Sequence, residues 1–206
     1  MLRLRNGLNP SPDGLGSFLQ YIAQAVALGE DEVNALRERM SLRQIRAGEA
    51  WLREGERCHE VAFVASGVLR VYFLDDGDDV TAYFATEGHT VSDYESFLTG
   101  APARMTTEAV EDAALVVLGR DAIEWAYQTL AQGERLGRVI AERLFLATHA
   151  RLAAFYLDSA EERYTRLVEE HPGLIQRVPQ HMIASYVGVR PQSLSRIRRR
   201  IAGGSG

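Results

Sequence analysis

Residues 178–206 read VPQHMIASYVGVRPQSLSRIRRRIAGGSG, and the architecture of the C-terminal part of the chain follows from them. Ile183, Ala184 and Val187 have helical spacing and predict a helix over about 179–187. Gly188 ends it, because a turn at that point needs a left-handed backbone, which glycine adopts without steric cost. Pro191 opens a second helix, its fixed φ suiting the first helical turn. Ile183, Ala184, Val187, Val189, Leu194, Ile197 and Ile201 are spaced to form a two-helix core, with the small Ala184 where the helices approach. The remaining face of the second helix carries Gln192, Ser193, Arg196, Arg199 and Arg200, and Gln180 stands at the start of the first helix. Such side chains donate the hydrogen bonds that base edges and phosphates accept.

The charge distribution agrees with that pattern. The chain has 206 residues and a net charge of −5. No Asp or Glu follows Glu170, while Arg177, Arg190, Arg196, Arg198, Arg199 and Arg200 all do. The preceding 170 residues hold 17 Arg against 28 acids. An acidic body with a basic tail is the distribution expected when only the tail meets a polyanion. The single cysteine, Cys58, excludes an internal disulfide and any iron–sulfur or zinc centre built from several cysteines. It reads as an inert, semi-buried thiol.

Upstream, residues 133–158 form the longest helical run, about 39 Å at 1.5 Å per residue. Leu136, Val139, Ile140, Leu144, Ala147, Leu152 and Phe155 trace its apolar stripe, a seam for a second copy of the chain. Ser159 and Glu162 make a capping box for a further helix that stops at His171-Pro172-Gly173. Between Ser41 and Leu118 the text changes to short strands, VAFVA, VLRVYFL, VTAYFA and ALVVL, bounded by Gly and Asp turns, which suggests a sandwich or barrel. From about Gly16 to Met40 the spacing is helical, broken near Gly29. The first fifteen residues read as a flexible tail without a signal-peptide core. No stretch has the ~18 apolar residues of a membrane span, so a cytoplasmic location is expected.

With these elements in place, the chain resembles the bacterial transcription regulators related to the cyclic-AMP receptor protein and the fumarate–nitrate regulator, the Crp-Fnr superfamily. Gly48 in AGE, Gly55 in REGE, Gly67 in VASGVLRVYF, the DDGDD turn and YFATEGH are similar to the turns of that family's cyclic-nucleotide-binding β-roll. The helix-turn-helix pairs with the family pattern without a gap, which implies that Gln192 and Arg196 fall where the family reads bases. Pro191 falls on another such position and cannot read. The resemblance implies an α+β fold: a jelly-roll sensor with flanking helices over 16–132, a dimerisation helix over 133–158, and a helix-turn-helix domain over 159–206 without a full wing. VSDYESFLTGAPARMTT would be the phosphate-binding cassette, with Asp93, Tyr94 and Arg104 as candidate ligand residues. It departs from the family where a Gly-Glu pair reads Ser92-Asp93, and where the residues after the arginine are Met105 and Thr106. Cyclic nucleotide is therefore disfavoured, and oxygen sensing of the fumarate–nitrate type is excluded by the lone cysteine.

The expected function is a dimeric DNA-binding transcriptional regulator whose roll senses an unidentified small molecule or none. The expected partners are double-stranded DNA with a pseudo-palindromic operator, a second copy of the chain and RNA polymerase, with no membrane. The alternative is a regulatory module whose tail binds a protein. A metal-dependent cupin enzyme would need clustered histidines, and His59, His89, His149, His171 and His181 include no HxH pair. No catalytic or metal-ligating residue and no certain cofactor is assigned.

Overall fold

The computed structural model describes residues 14–203. Helices α1 (Gly14–Ala23) and α2 (Glu30–Arg37) precede a run of strands: β1 (Met40–Ile45), β2 (Ala50–Leu52), β3 (Glu60–Ser66), β4 (Leu69–Asp75), β5 (Asp78–Ala85) and β6 (Thr90–Val91). Helix α3 (Tyr94–Thr99) interrupts them, and β7 (Thr106–Ala109) and β8 (Ala113–Gly119) complete the strands. Then come α4 (Arg120–Thr129), α5 (Gly133–Leu157), α6 (Ala160–Glu170), α7 (Leu174–Arg177), α8 (Gln180–Val187) and α9 (Pro191–Gly203). Gly14 and Leu15, expected in the tail, begin α1, and the rest of that tail lies outside the described residues. Met40 opens a strand instead of closing a helix.

The strands form two antiparallel sheets, ordered β1-β8-β3-β6 and β2-β7-β4-β5. Ala62, Val64, Leu115 and Val117 of the first sheet meet Leu69, Val71, Ala85 and Ala109 of the second in the space between them. The outer faces are covered as well. Phe63, Ala65, Val116 and Leu118 pack beneath α1, α2, α4 and the start of α5. This explains why ALVVL is a continuous apolar run: both faces of that central strand are buried.

The tight turns use positive φ. Asp76 (φ 51°) and Gly77 (φ 89°) form the two-residue loop between β4 and β5, and Asp75 pairs with Asp78. Two central residues with positive φ are the requirement of a type I′ hairpin turn.

The outer face of the second sheet is covered by the C-terminal helices. Val68 and Phe84 share one core with Tyr164, Leu167, Leu174, Val178, Ile183, Ala184, Val187, Leu194 and Ile197. Arg70 also lies in this layer, with its side chain 2% exposed. Its Nε donates to Thr81 Oγ1 at 2.8 Å, it pairs with Asp79, and it lies 4.6 Å over the Tyr72 ring. Ser185 on α8 closes the arrangement: its hydroxyl accepts from the Thr81 N–H at 2.8 Å and donates to the Asp79 carbonyl at 2.9 Å. Thr81 and Asp79 belong to β5, an edge strand, so one side chain satisfies two backbone groups that the sheet leaves open.

Candidate nucleic-acid interface and sensor cassette

The C-terminal helices are joined by specific caps. The Ser159 side chain accepts from the Glu162 N–H, and the Glu162 carboxylate accepts from the Ser159 N–H, closing the capping box of α6. Gly188 terminates α8 in the left-handed region (φ 77°), and the Val189 N–H reaches back to the Ala184 carbonyl at 2.9 Å. Arg163 of α6 fixes this turn from outside. Its Nε and a terminal nitrogen donate to the Val187 carbonyl at 3.0 and 2.8 Å, and its other terminal nitrogen donates to the Asp158 carbonyl at 2.6 Å. The turn between the two helices is therefore held to the end of α5.

Leu194 and Ile197 of α9 are buried against α8, while Gln192, Arg196, Arg199 and Arg200 are exposed on the other side and Ser193 is half-buried. Gln180 is exposed at the first turn of α8. Arg190, which the spacing argument passed over because it precedes the helix, is exposed at the same end. Arg200 is not free: it pairs with Glu161 at 2.6 Å. That pair is on the surface, where such bridges contribute about 0–1 kcal/mol, so a phosphate can displace it. Among the described residues no ion pair holds Arg196.

The cassette at 91–107 is tied to itself. Asp93 is 8% exposed and caps α3. One carboxylate oxygen accepts from the Ser96 N–H at 2.9 Å and the other from the Arg104 N–H at 3.2 Å. Ser96 Oγ donates to the Ala101 carbonyl at 2.5 Å and accepts from the Cys58 N–H at 2.9 Å. Ser92 Oγ donates to the Glu60 carbonyl at 3.1 Å. Tyr94 is half-buried and stacks on Phe97, with ring centroids 6.1 Å apart. The Arg104 side chain is exposed. Arg151 of α5 lies 4.3 Å over the ring of Tyr83, and burial pushes the Tyr83 hydroxyl above its ordinary pKa. A cyclic nucleotide needs an arginine for its phosphate and a free carboxylate for its ribose. Arg104 suits the first requirement. The Asp93 carboxylate is already partly engaged, with one backbone N–H on each oxygen.

Residues 42–129 match the family model of the cyclic nucleotide-binding domain. Among solved structures, FixK2 from Bradyrhizobium japonicum is similar over 81% of this chain and 86% of that one, at 21% identity and TM-score 0.68. The chain shares the fold of that structure over most of its length. A putative transcriptional regulator of the crp/fnr family from Eubacterium rectale is similar over 86% of this chain and 85% of its own, at 17% identity and TM-score 0.64. The c-di-GMP-responsive global regulator CLP of Xanthomonas campestris covers 86% of this chain and 93% of its own, at 14% identity and TM-score 0.62. No curated protein matches the chain in sequence. The matched roll is followed in the chain by the long helix α5 and then by the short helices α6 to α9.

Proposed function

We propose that the chain is a dimeric, DNA-binding transcriptional regulator and not an enzyme, divided into a roll over 16–132, a dimerisation helix over 133–158 and a DNA reader over 159–206. The observation that carries this reading is the exposed face of α9. Gln192, Arg196, Arg199 and Arg200 stand on the side away from Leu194 and Ile197, in a segment without a single acid. Helix geometry puts Gln192 and Arg196 one turn apart near the N-terminal end of the helix, the end that meets base edges in this motif. Arg198, Arg199 and Arg200 follow toward the backbone.

Arg grips guanine O6 and N7 with two hydrogen bonds, worth roughly 1–3 kcal/mol of discrimination. Arg196→Ala is expected to lower the ratio of operator to scrambled-DNA affinity. Arg200→Ala is expected to weaken all sequences alike and to reduce the slope of log K against log salt by about one unit per lost phosphate contact. Titration of both variants on both DNAs across a salt series tests the assignment. An unchanged ratio for Arg196→Ala removes it from base reading, and a wild type that binds neither DNA favours a protein partner for the tail.

The roll, on this reading, responds to a ligand other than a conventional cyclic nucleotide, or to none. Calorimetry with cyclic AMP and cyclic GMP is expected to register no tight binding. Tight binding lost on Arg104→Ala would restore Asp93, Tyr94 and Arg104 as a nucleotide site. A cytoplasmic location and RNA polymerase as a further partner belong to the same proposal. Among the described residues no helix is long and apolar enough to cross a membrane.

A further inference from the structure

The contact between the roll and the C-terminal helices contains a pair of imidazoles. His89 lies in the turn between β5 and β6, and His171 caps the C-terminus of α6. Their ring centroids are 5.6 Å apart. The two residues come from the two bodies that the contact joins, and a short way along it Arg177 bonds Glu87 through both its terminal nitrogens, at 3.0 and 2.6 Å. The Arg177 Nε also donates to Glu111 at 3.0 Å. We propose that this contact is a proton-operated latch: protonating His171, which faces His89 across it, drives the C-terminal helices off the roll.

The geometry works in one direction only. A neutral His171 ring packs against the His89 ring, whereas an imidazolium formed at His171 is held half-buried against a second imidazole. The other charged groups of the region do not offset that cost. Glu87, on the same turn as His89, and Glu111, on the turn between β7 and β8, are already engaged by Arg177. Glu169 and Glu170, at the end of α6, are exposed. The His89 Nδ1 lies 3.2 Å from the Thr86 Oγ1 and carbonyl, which hold the ring in place.

The pH window follows from the same environment. Burial first, and His89 second, hold the His171 imidazole below its ordinary pKa. Released from the roll, it returns to about 6.5. The released state therefore binds protons more readily than the docked one. Docking is full above about pH 6.5 and is lost as pH falls below it. Each pKa unit of depression changes the docking equilibrium about tenfold. The Glu87 carboxylate behaves differently. Burial opposes its charged form, but Arg177 and the Gly67 N–H outweigh burial and bring its pKa below the ordinary value. Its contribution is lost only in stronger acid, below the usual carboxylate range, and so does not enter between pH 7.5 and 5.5.

Hydrogen exchange on the full-length chain without DNA tests the latch, independently of whether α9 reads DNA. The reporters are the Thr81 amide, which donates to Ser185, and the amides of 180–187. The internal controls are 61–65 and 115–118 in the core of the roll. After correction for the intrinsic rate, reporter protection in the wild type is expected to fall several-fold from pH 7.5 to 5.5 while the controls hold. His171→Gln is expected to flatten that fall and His89→Gln to make it shallower. A flat wild-type profile, or an equal fall in His171→Gln, overturns the proposal. Should His171→Gln already be open at pH 7.5, His89→Gln decides: a fall as steep as the wild type's overturns the latch, and a shallower one supports it.

Discussion

Replacing Leu152 and Tyr156 together with glutamate is expected to halve the sedimenting mass of the protein, from twice the chain mass to once. The expectation rests on the two sides of α5. Leu136 is 5% exposed, and Ile140 is half-buried against the same core. On the same side Arg143 lies over Tyr21 and Arg151 over Tyr83. Phe145, His149, Leu152 and Tyr156 follow at spacings of four, three and four residues on the opposite side. Phe145 is 67%, Leu152 55% and Tyr156 74% exposed. That spacing is the seam of two helices packed side by side. A single copy leaves these side chains in water, and the proposed dimer would cover them. Because the substituted positions are exposed in one chain, the melting temperature of the monomer and its far-UV spectrum should stay close to the wild type's. Affinity for an operator with two half-sites should fall on the order of a hundredfold or more, since the second reader no longer comes tethered to the first. A variant that still sediments as a dimer and binds with wild-type affinity would remove α5 as the dimer seam.

Gly67→Ala is expected to be the most destabilising single methyl that can be added to the roll. Gly67 joins β3 to β4 with φ 96°, a region that costs an L-residue about 1–2 kcal/mol. A Cβ there would lie 2.5 Å from the Ala113 Cβ, 2.7 Å from the Ala113 Cα and 2.8 Å from the Asp112 carbonyl. Two of those three atoms belong to backbone that cannot step aside, and overpacking of this kind costs roughly 1–3 kcal/mol more. The sum, about 2–5 kcal/mol, corresponds to a loss of roughly 5–15 °C in melting temperature for a chain of this size. Gly77→Ala is the control. Its φ is 89° but nothing lies within 4 Å of the added carbon, so only the backbone cost of about 1–2 kcal/mol applies. If the two variants melt together, the close approach of β8 to the β3–β4 turn is not what requires glycine at 67.

Much of the architecture was legible in the text because single residues have single physical reasons. Gly188 and Pro191 bracket the turn between α8 and α9, and Ser159 with Glu162 marks the start of α6. VAFVA, VLRVYFL, VTAYFA and ALVVL lie in β3, β4, β5 and β8. What stayed hidden has reasons too. β1, MSLRQI, has four consecutive exposed residues and gives no alternation to read. β2 and β6 are three and two residues long, too short for any period. Helix α3 is a single short helix inside what reads as a loop, capped by the Asp93 carboxylate. The apolar stripe read along 133–158 mixed the two sides of α5: Leu136 and Ile140 pack on the chain's own body, whereas Leu152 is exposed. Spacing alone could not separate them, because both sides are apolar. The meeting of His89 with His171 spans 82 positions along the chain, and no local pattern announces it.

The Ser185 hydroxyl seated on β5 bears on whether the roll can exist alone. An unpaired strand edge is a template for another strand, and proteins guard such edges with charges, bulges or a covering element. Here the guard is α8, together with the extra residue at Ala82 that offsets the β4–β5 register. A roll severed after α5 would uncover Val68 and Phe84 and leave the Thr81 amide without its Ser185 acceptor. It would therefore be drawn toward sheet-to-sheet oligomers. The C-terminal helices thus shield the outer face of the second sheet, and a roll without them is expected to be less soluble than the whole chain.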